Sequence, residues 1–238
     1  MWKSLLSSLF LATTALAQEN PSAYEALRVV GTQLNREMMS RIISVTGVDG
    51  DPQPGTWKIL VADRRASGGV REITVEDNRI ASQRTPNRSV VGSTEGNTID
   101  TARLNLDSTG AYAVASHTAE TSHVTFSFVS YTLRTDDRGN PVWIVMLEDR
   151  SRKPLGTIHI KANDGRVTRV EGMYQGRNME QVEEDSEQVD NRDADSDEDA
   201  DDNIVKKRIK RLFRKTKEDA RRVFVRARRS FVDFVNRW

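Results

Sequence analysis

The clearest alternation of hydrophobic and polar positions lies in residues 124–174. Residues 142–147 are apolar at every position, as in a strand that is buried on both faces. Residues 157–162 alternate instead, which is typical of a strand with one buried face. The alternation changes phase near Phe128 and so predicts a β-bulge there. These runs predict four antiparallel strands, with Trp143 in the most apolar one.

Turn sequences separate the predicted strands. Gly139 lies in an Arg-Gly-Asn sequence, and Gly165 directly follows Asp164. Glycine and asparagine readily adopt the positive φ angles that tight hairpins need. We therefore expect a β-meander in which consecutive strands are neighbours.

An amphipathic helix is predicted near the start of the folded region. Ser22 and Glu25 have the spacing of a capping box. Apolar side chains then recur at helical spacing, at Ala23, Leu27, Val30, Leu34 and Met38. This pattern predicts a helix over residues 22–40. Strands are predicted to follow at 42–48, 57–62 and 70–76, with a short fourth strand from Ile80.

A second helix is predicted beyond residue 106. Residues 84–97 are rich in Ser, Thr, Asn, Gly and Pro and predict a linker or a long surface loop. Residues 101–106 predict a short strand, after which Asp107 and Ser108 form a natural N-cap. The inner face of this helix would consist of small side chains, namely Ala111, Val114, Ala115 and Thr118.

The two halves of this region follow a similar plan. Trp57 stands in its strand as Trp143 does in its own, and Asp-Arg pairs follow at Asp63 and Asp149. We interpret this as a divergent duplication, although two unrelated meanders would also share turn residues for local reasons. The predicted class is α+β, with two tandem units that each pack a helix on a three- to four-stranded antiparallel sheet. The expected bounds are 22–83 for the first unit, 84–100 for the linker and 101–175 for the second unit.

The second unit resembles the PepSY-like family. The resemblance rests on the Asp-Ser helix start, the Ala-rich helix, the Tyr-x-Leu of residues 131–133, the Gly-Asn-Pro-Val-Trp of 139–143 and the Ala-Asn-Asp-Gly-Arg-Val of 162–167. The first unit is a weaker copy. The resemblance implies a small exported module that binds or restrains a peptidase or another protein partner in the cell envelope. It implies no catalytic residue.

The N-terminal residues 1–17 have the features of a secretory signal peptide. Lys3 precedes a short apolar run, and an Ala-Leu-Ala cleavage site would leave Gln18 as the mature start. The alternative is a buried N-terminal helix. The chain has 238 residues, a formal net charge of +1 and no cysteine. Export without disulfides favours a bacterial periplasmic or extracellular protein.

The near-neutral net charge conceals an acidic block followed by a basic one. Residues 176–202 are dense in Asp and Glu and predict a disordered linker. Asp193, Asp195, Asp197 and Asp199 alternate as at the start of a calcium loop. The loop's glycine is replaced by Glu198 and its closing glutamate by Ile204, so a solvated spacer is the favoured interpretation.

Residues 203–238 predict a basic amphipathic helix. An apolar stripe with helical period includes Phe213, Phe224, Phe231 and Trp238. An aromatic stripe beside a cationic face is typical of a helix that lies on an anionic membrane surface. The predicted surface-binding residues are Lys207, Arg208, Arg211, Phe213, Arg214, Arg221, Arg222, Phe224, Arg229, Phe231 and Trp238.

Three interpretations of this basic segment stay open. It would adsorb to anionic lipid or an envelope polymer, or bind nucleic acid through its charge. Alternatively, the apolar stripe packs on the protein's own units, or the acidic block holds the helix in a clasp that salt opens.

The sequence predicts no catalytic, cofactor-binding or metal-binding residue. His117, His123 and His159 lack metal-ligand spacing, and no nucleophile elbow, Walker loop or dinucleotide fingerprint is present. The Gly-rich residues 92–96 predict only a turn. Asp63 and Asp149 are candidate acid/base groups of a rival function, an envelope hydrolase or peptidase-associated enzyme, but charges at strand ends explain them more simply. We therefore expect an exported, non-enzymatic binding or regulatory module attached to an anionic surface, with an extracellular nucleic-acid-binding protein as a further alternative.

Overall fold

Two consecutive series of one helix and four strands make up most of the protein. The computed structural model describes residues 20–86, 98–173 and 221–237. The first series contains α1 (Ala23–Gln33), a 3-10 helix (Arg36–Arg41), β1 (Ile42–Gly50), β2 (Thr56–Ala62), β3 (Val70–Glu76) and β4 (Arg79–Arg84). The second contains a 3-10 helix (Thr101–Arg103), α2 (Ser108–Thr121), β5 (Phe128–Thr135), β6 (Pro141–Glu148), β7 (Pro154–Lys161) and β8 (Val167–Glu171). Residues 221–227 are helical and are followed by α3 (Phe231–Val235).

The strands form one eight-stranded sheet in the order β4-β3-β2-β1-β5-β6-β7-β8, and all seven pairings are antiparallel. The α+β class is therefore confirmed. The prediction of separate sheets with three to four strands each is corrected, because β1 pairs with β5, with Val45 opposite Leu133 and Gly47 opposite Tyr131. Each of these strands would otherwise be the edge of a meander. Their pairing satisfies backbone groups that an exposed edge leaves unpaired.

The helices lie on one face of this sheet, with α1 against β2–β4 and α2 against β6 and β7. The capping box of α1 is confirmed, since Glu25 N donates to Ser22 Oγ and Ser22 N donates to Glu25 Oε2. The helix is shorter than the predicted 22–40. Asn35 accepts a hydrogen bond from Glu37 N and starts the 3-10 helix instead.

Two local predictions in the second half are wrong. Residues 101–106 do not form a strand, because Asp100 caps a single 3-10 turn through Ala102 N. The phase change near Phe128 marks the first residue of β5 rather than a bulge within a longer strand. The positive φ angles expected at Gly139 and Gly165 are confirmed, at 73° and 69°.

The core lies between the sheet and the helix layer. Trp57 and Trp143 are fully buried there, and the ring of Tyr131 lies between them at centroid distances of 5.8 and 6.2 Å. On β6 the side chains of Ile144 and Met146 are only partly buried, so the expected burial of both faces is wrong. The reason is that helices cover only one face of the sheet.

Several sequence predictions concern residues outside the described ranges. These are the signal peptide 1–17, the turn at 92–96, the acidic segment 176–202 and the basic residues 203–220. Among the described residues, no helix is long and apolar enough to cross a membrane.

Candidate anion-binding surface

The N-termini of α1 and α2 meet, and the side chain of Asp107, the N-cap residue of α2, accepts hydrogen bonds from both helices. Asp107 Oδ1 accepts from Ser108 N at 2.7 Å in α2 and from Tyr24 N at 3.0 Å in α1. Ser108 Oγ accepts from Ala23 N at 2.9 Å. First-turn N–H groups have no partner within their own helix, so this arrangement satisfies donors of both helices. The sequence predicted the Asp107 cap of α2 but not its contact with α1.

Asp107 is fully buried at this junction. Burial raises the pKa of its carboxyl group, while hydrogen bonds from the Ser22 hydroxyl and from Tyr24 N and Ser108 N oppose the rise. Its second oxygen, Oδ2, has no hydrogen bond to any described residue, and Arg229 Nη1 lies 3.8 Å from it. The Arg229 guanidinium therefore provides positive charge where the carboxylate has no other donor.

The C-terminal residues 221–237 are attached at the same place. Arg229 N donates to Asn105 O at 2.9 Å, and Phe231 N donates to Leu104 O at 2.8 Å. Phe231 is 2% exposed, and its ring meets the Tyr24 ring edge-on at a centroid distance of 5.0 Å. We call residues 221–237 the docked segment.

Two glycines of the folded region make room for the docked segment. A Cβ atom on Gly165 would come within 2.3 Å of the Phe224 side chain. A Cβ atom on Gly110 would come within 3.2 Å of Ala227 Cβ. The close approach of the segment therefore depends on the absence of side chains at these positions.

This arrangement corrects the predicted surface helix. Phe224 is 8% exposed and packs with Phe231 against the protein's own core, so neither ring faces outward. The helix also breaks at residues 228–230, and Ser230 Oγ caps α3 by accepting from Asp233 N. Helical spacing identifies an apolar stripe but not the surface that it meets. For Phe224 and Phe231, the interpretation that holds is the one in which the apolar stripe packs on the protein's own units.

Only some of the basic residues predicted to bind a surface lie in the described ranges. Arg221 and Arg222 are exposed, and the Arg229 side chain is about half exposed although it approaches Asp107. The remaining predicted residues lie outside the described ranges; they are Lys207, Arg208, Arg211, Phe213, Arg214 and Trp238.

Arg222 and Arg226 lie on the face of helix 221–227 opposite Phe224, and Arg221, one turn before Phe224, is exposed at the side of the helix. Val225 lies among them and is 69% exposed. An exposed apolar side chain among arginines suits the interface of a lipid membrane better than a purely polar polyanion. We call these four residues the arginine face.

A surface cleft of about 410 Å³ lies between α1 and the docked segment. Its walls contain four arginines together with a serine, an aspartate and an aromatic ring, namely Arg28, Arg228, Arg229, Arg237, Ser230, Asp233 and Phe234. The Cζ atoms of Arg229 and Arg28 lie 4.2 and 5.3 Å from the centroid of the Phe234 ring. We call this cavity the arginine cleft.

Four of the seven arginines on this surface were not among the predicted residues. Arg226, Arg228 and Arg237 belong to the basic segment, and the density of arginine there was the available signal. Arg28 belongs to α1, about 200 residues earlier in the chain, and no sequence signal links it to the C-terminus.

The two Asp-Arg motifs have structural roles. Asp63 accepts from Arg65 N at 2.9 Å and from Arg71 Nε at 2.8 Å, and these bonds lower the pKa of its carboxyl group. Asp149 accepts from Ser151 N at 2.7 Å and from Lys153 N at 3.0 Å. Both carboxylates therefore close the loop that follows their strand, which is the simpler of the two explanations considered for them.

Two of the three histidines, His117 and His159, lie near a carboxylate. His117 Nδ1 is 3.8 Å from Glu120, and His159 Nε2 is 3.7 Å from Glu171. His123 has a positive φ of 58° just after α2. In the described ranges, no group of three or more His, Cys, Asp or Glu residues is arranged to hold a metal ion.

The chain matches no family model, no curated protein and no solved structure.

Proposed function

We propose that the protein is an exported, non-enzymatic binding module that attaches to an anionic membrane or envelope surface through its C-terminal arginines. One observation carries this proposal. The docked segment buries Phe224, Phe231 and Phe234 but leaves six arginines exposed, at positions 221, 222, 226, 228, 229 and 237. Each basic side chain near an anionic surface contributes roughly 1 kcal/mol of attraction.

In this proposal the aromatic residues hold the segment on the protein, and the arginines hold the protein on the surface. The exposed Val225 adds a small apolar contact at the arginine face. This differs from a free amphipathic helix, whose aromatic rings would enter the lipid.

The helix-and-sheet region would then bind a protein partner in the envelope. The resemblance of residues 107–174 to the PepSY-like family supports this role. The tandem arrangement is supported by the order of elements, since α1 precedes β1–β4 as α2 precedes β5–β8.

Co-sedimentation with vesicles tests the attachment. The full chain should bind phosphatidylglycerol vesicles, should bind neutral phosphatidylcholine vesicles far less, and should dissociate as salt rises. Arg221→Gln with Arg226→Gln should weaken binding to the anionic vesicles by roughly tenfold or more, at about 1 kcal/mol for each charge.

The matched control is Arg79→Gln with Arg134→Gln, which removes the same charge from exposed positions on β4 and β5. It should change the binding by less than about twofold, because these side chains do not belong to the docked segment. Equal losses in the two double variants would show that only net charge matters, and would contradict the proposal.

A further inference from the structure

The arginine cleft differs from the arginine face in being a cavity rather than one side of a helix. Residues distant in sequence build its walls, because Arg28 comes from α1 while Arg228, Arg229 and Arg237 come from the docked segment. Its volume of about 410 Å³ is within the range of small-molecule sites. The cleft exists only while the segment is docked.

Two of its guanidinium groups are held in place before any ligand arrives. The Phe234 ring is 6% exposed, and Arg28 and Arg229 both lie over it. The Arg229 backbone is fixed by its bond to Asn105 O, and its side chain approaches the buried Asp107. Side chains that are already ordered lose less entropy when they bind a ligand.

The cleft carries an excess of positive charge. Asp233 is the one acidic residue among its lining residues, against four arginines. Within the described part of the chain, Arg28, Arg228 and Arg237 form no ion pair. Their charges are therefore available to a ligand.

We propose that the arginine cleft binds the phosphate group of a phosphomonoester. Guanidinium groups pair with phosphate oxygens in a bidentate geometry. A phosphomonoester has three terminal oxygens and can accept from several arginines at once, whereas a carboxylate has only two. The remaining volume of the cleft accommodates the organic part of the molecule. The phosphate comes either from a lipid headgroup or from a soluble metabolite.

This inference rests on the proposed function, since the same docked segment supplies three of the four arginines. Membrane attachment and phosphate binding can be tested separately, because they depend on different residues. Arg28 lies on α1 and belongs to the cleft alone, while Arg221 and Arg226 belong to the arginine face.

Isothermal titration of the full chain with glycerol phosphate tests the cleft, with sodium acetate as the carboxylate comparison. Saturable binding to one site is expected for glycerol phosphate and not for acetate. Arg28→Gln should weaken it by about tenfold or more, whereas Arg221→Gln should change it by less than about twofold. Arg28→Lys keeps the charge but loses the bidentate geometry, so it should bind with intermediate affinity. Circular dichroism checks that each variant is folded.

A vesicle experiment distinguishes the sources of the phosphate. Phosphatidic acid presents a phosphomonoester and phosphatidylglycerol a phosphodiester. A preference for phosphatidic acid that is lost in Arg28→Gln identifies a lipid headgroup; glycerol phosphate binding without that preference identifies a soluble ligand. Both outcomes support the cleft.

The inference is overturned if glycerol phosphate gives no saturable binding and phosphatidic acid is not preferred. It is also overturned if Arg28→Gln and Arg221→Gln have equal effects. Adsorption to phosphatidylglycerol that persists in either case would leave the proposed function standing. Specific phosphate binding without that adsorption would contradict the proposed function and leave the cleft.

Discussion

Trp57 and Trp143 make the same hydrogen bond in the two halves of the protein. Trp57 Nε1 donates to Pro21 O and Trp143 Nε1 donates to Leu106 O, each at 2.8 Å. Both acceptors directly precede the N-cap residue of the helix that covers their half of the sheet. Each indole therefore joins an interior strand, β2 or β6, to the start of a helix and fixes where that helix begins.

Replacing either tryptophan with phenylalanine tests this equivalence. Trp57→Phe and Trp143→Phe should each lower the free energy of unfolding by about 1–3 kcal/mol, because a carbonyl group at a buried site loses its donor. The two losses should be similar, as measured by denaturant unfolding. Val48→Ala, at a side chain that is 54% exposed, serves as the control and should have a much smaller effect. A large loss at one tryptophan and none at the other would contradict the equivalence.

Asp107→Asn tests the buried carboxyl group at the helix junction. Its pKa is raised above the ordinary value of 3.8. The folded state therefore binds the proton more tightly than the unfolded state, and stability contributed by the protonated form is lost as pH rises through the folded-state pKa. Asparagine keeps an oxygen acceptor for Tyr24 N and Ser108 N but cannot ionise.

The free energy of unfolding of Asp107→Asn, minus that of the natural protein, should thus become more positive as pH rises from about 4 towards 7. Asp63 and Asp136 have lowered pKa values and give an opposite pH dependence, but they are present in both proteins and cancel in the difference. A difference that falls with pH would show that the ionised carboxylate, paired with Arg229, stabilises the junction.

Gly165→Ala tests the docking of Phe224. The substitution places a Cβ atom within 2.3 Å of the Phe224 side chain and should displace the docked segment. Gly139→Ala is the matched control, because Gly139 has a similar positive φ and no atom lies within 4 Å of the position that its Cβ would occupy. Trypsin cleavage after Arg228, followed by mass spectrometry, should be roughly tenfold faster in Gly165→Ala than in Gly139→Ala. Equal cleavage rates in the two variants would mean that backbone strain at the turn, and not the contact with Phe224, causes any change.

Tyr131→Phe tests how the loop between β1 and β2 is held. The Tyr131 hydroxyl donates to Pro52 O at 2.6 Å, and its loss should lower the free energy of unfolding by about 1 kcal/mol. Tyr112→Phe is the control, because Tyr112 packs edge-on against Phe126 without a hydroxyl hydrogen bond in the described residues. An equal effect of both substitutions in denaturant unfolding would assign no role to the Pro52 bond.

Local patterns in the sequence were sufficient for α1, α2 and the strands, but not for the two 3-10 helices, which were predicted as part of a helix and as a strand. The alternation in β7, the glycines at 139 and 165 and the Ser22 capping box depend on neighbouring residues, which the sequence displays directly. The β1–β5 pairing depends on which of several edges meet, and no local pattern encodes that choice.

The proposed binding surface was only partly predictable for a similar reason. The basic composition of the C-terminus indicated anionic partners, and Arg221 and Arg222 are indeed exposed. The burial of Phe231 against Tyr24 depends on a contact between residues about 200 positions apart. The same distance hid the contribution of Arg28 to the arginine cleft.

A disulfide that locks the docked segment in place tests most directly whether the segment stays on the protein during membrane binding. A Cβ atom on Gly110 would lie 3.2 Å from Ala227 Cβ, a few tenths of an ångström below the roughly 3.5–4.5 Å of a disulfide, and 2.5 Å from Leu106 Cδ1, so the bond requires the Leu106 side chain and residue 227 to shift slightly. The chain has no natural cysteine, so in the double variant Gly110→Cys with Ala227→Cys the two introduced cysteines can form only one intramolecular disulfide. The measurement is co-sedimentation of the oxidised and reduced double variant with phosphatidylglycerol vesicles.

The oxidised and reduced forms should bind within about twofold of each other, because the arginines act while the aromatic residues stay on the protein. Binding that is lost by about tenfold or more on oxidation and restored on reduction would contradict this prediction. That result would show that the segment leaves the protein and inserts Phe224 and Phe231 into the lipid.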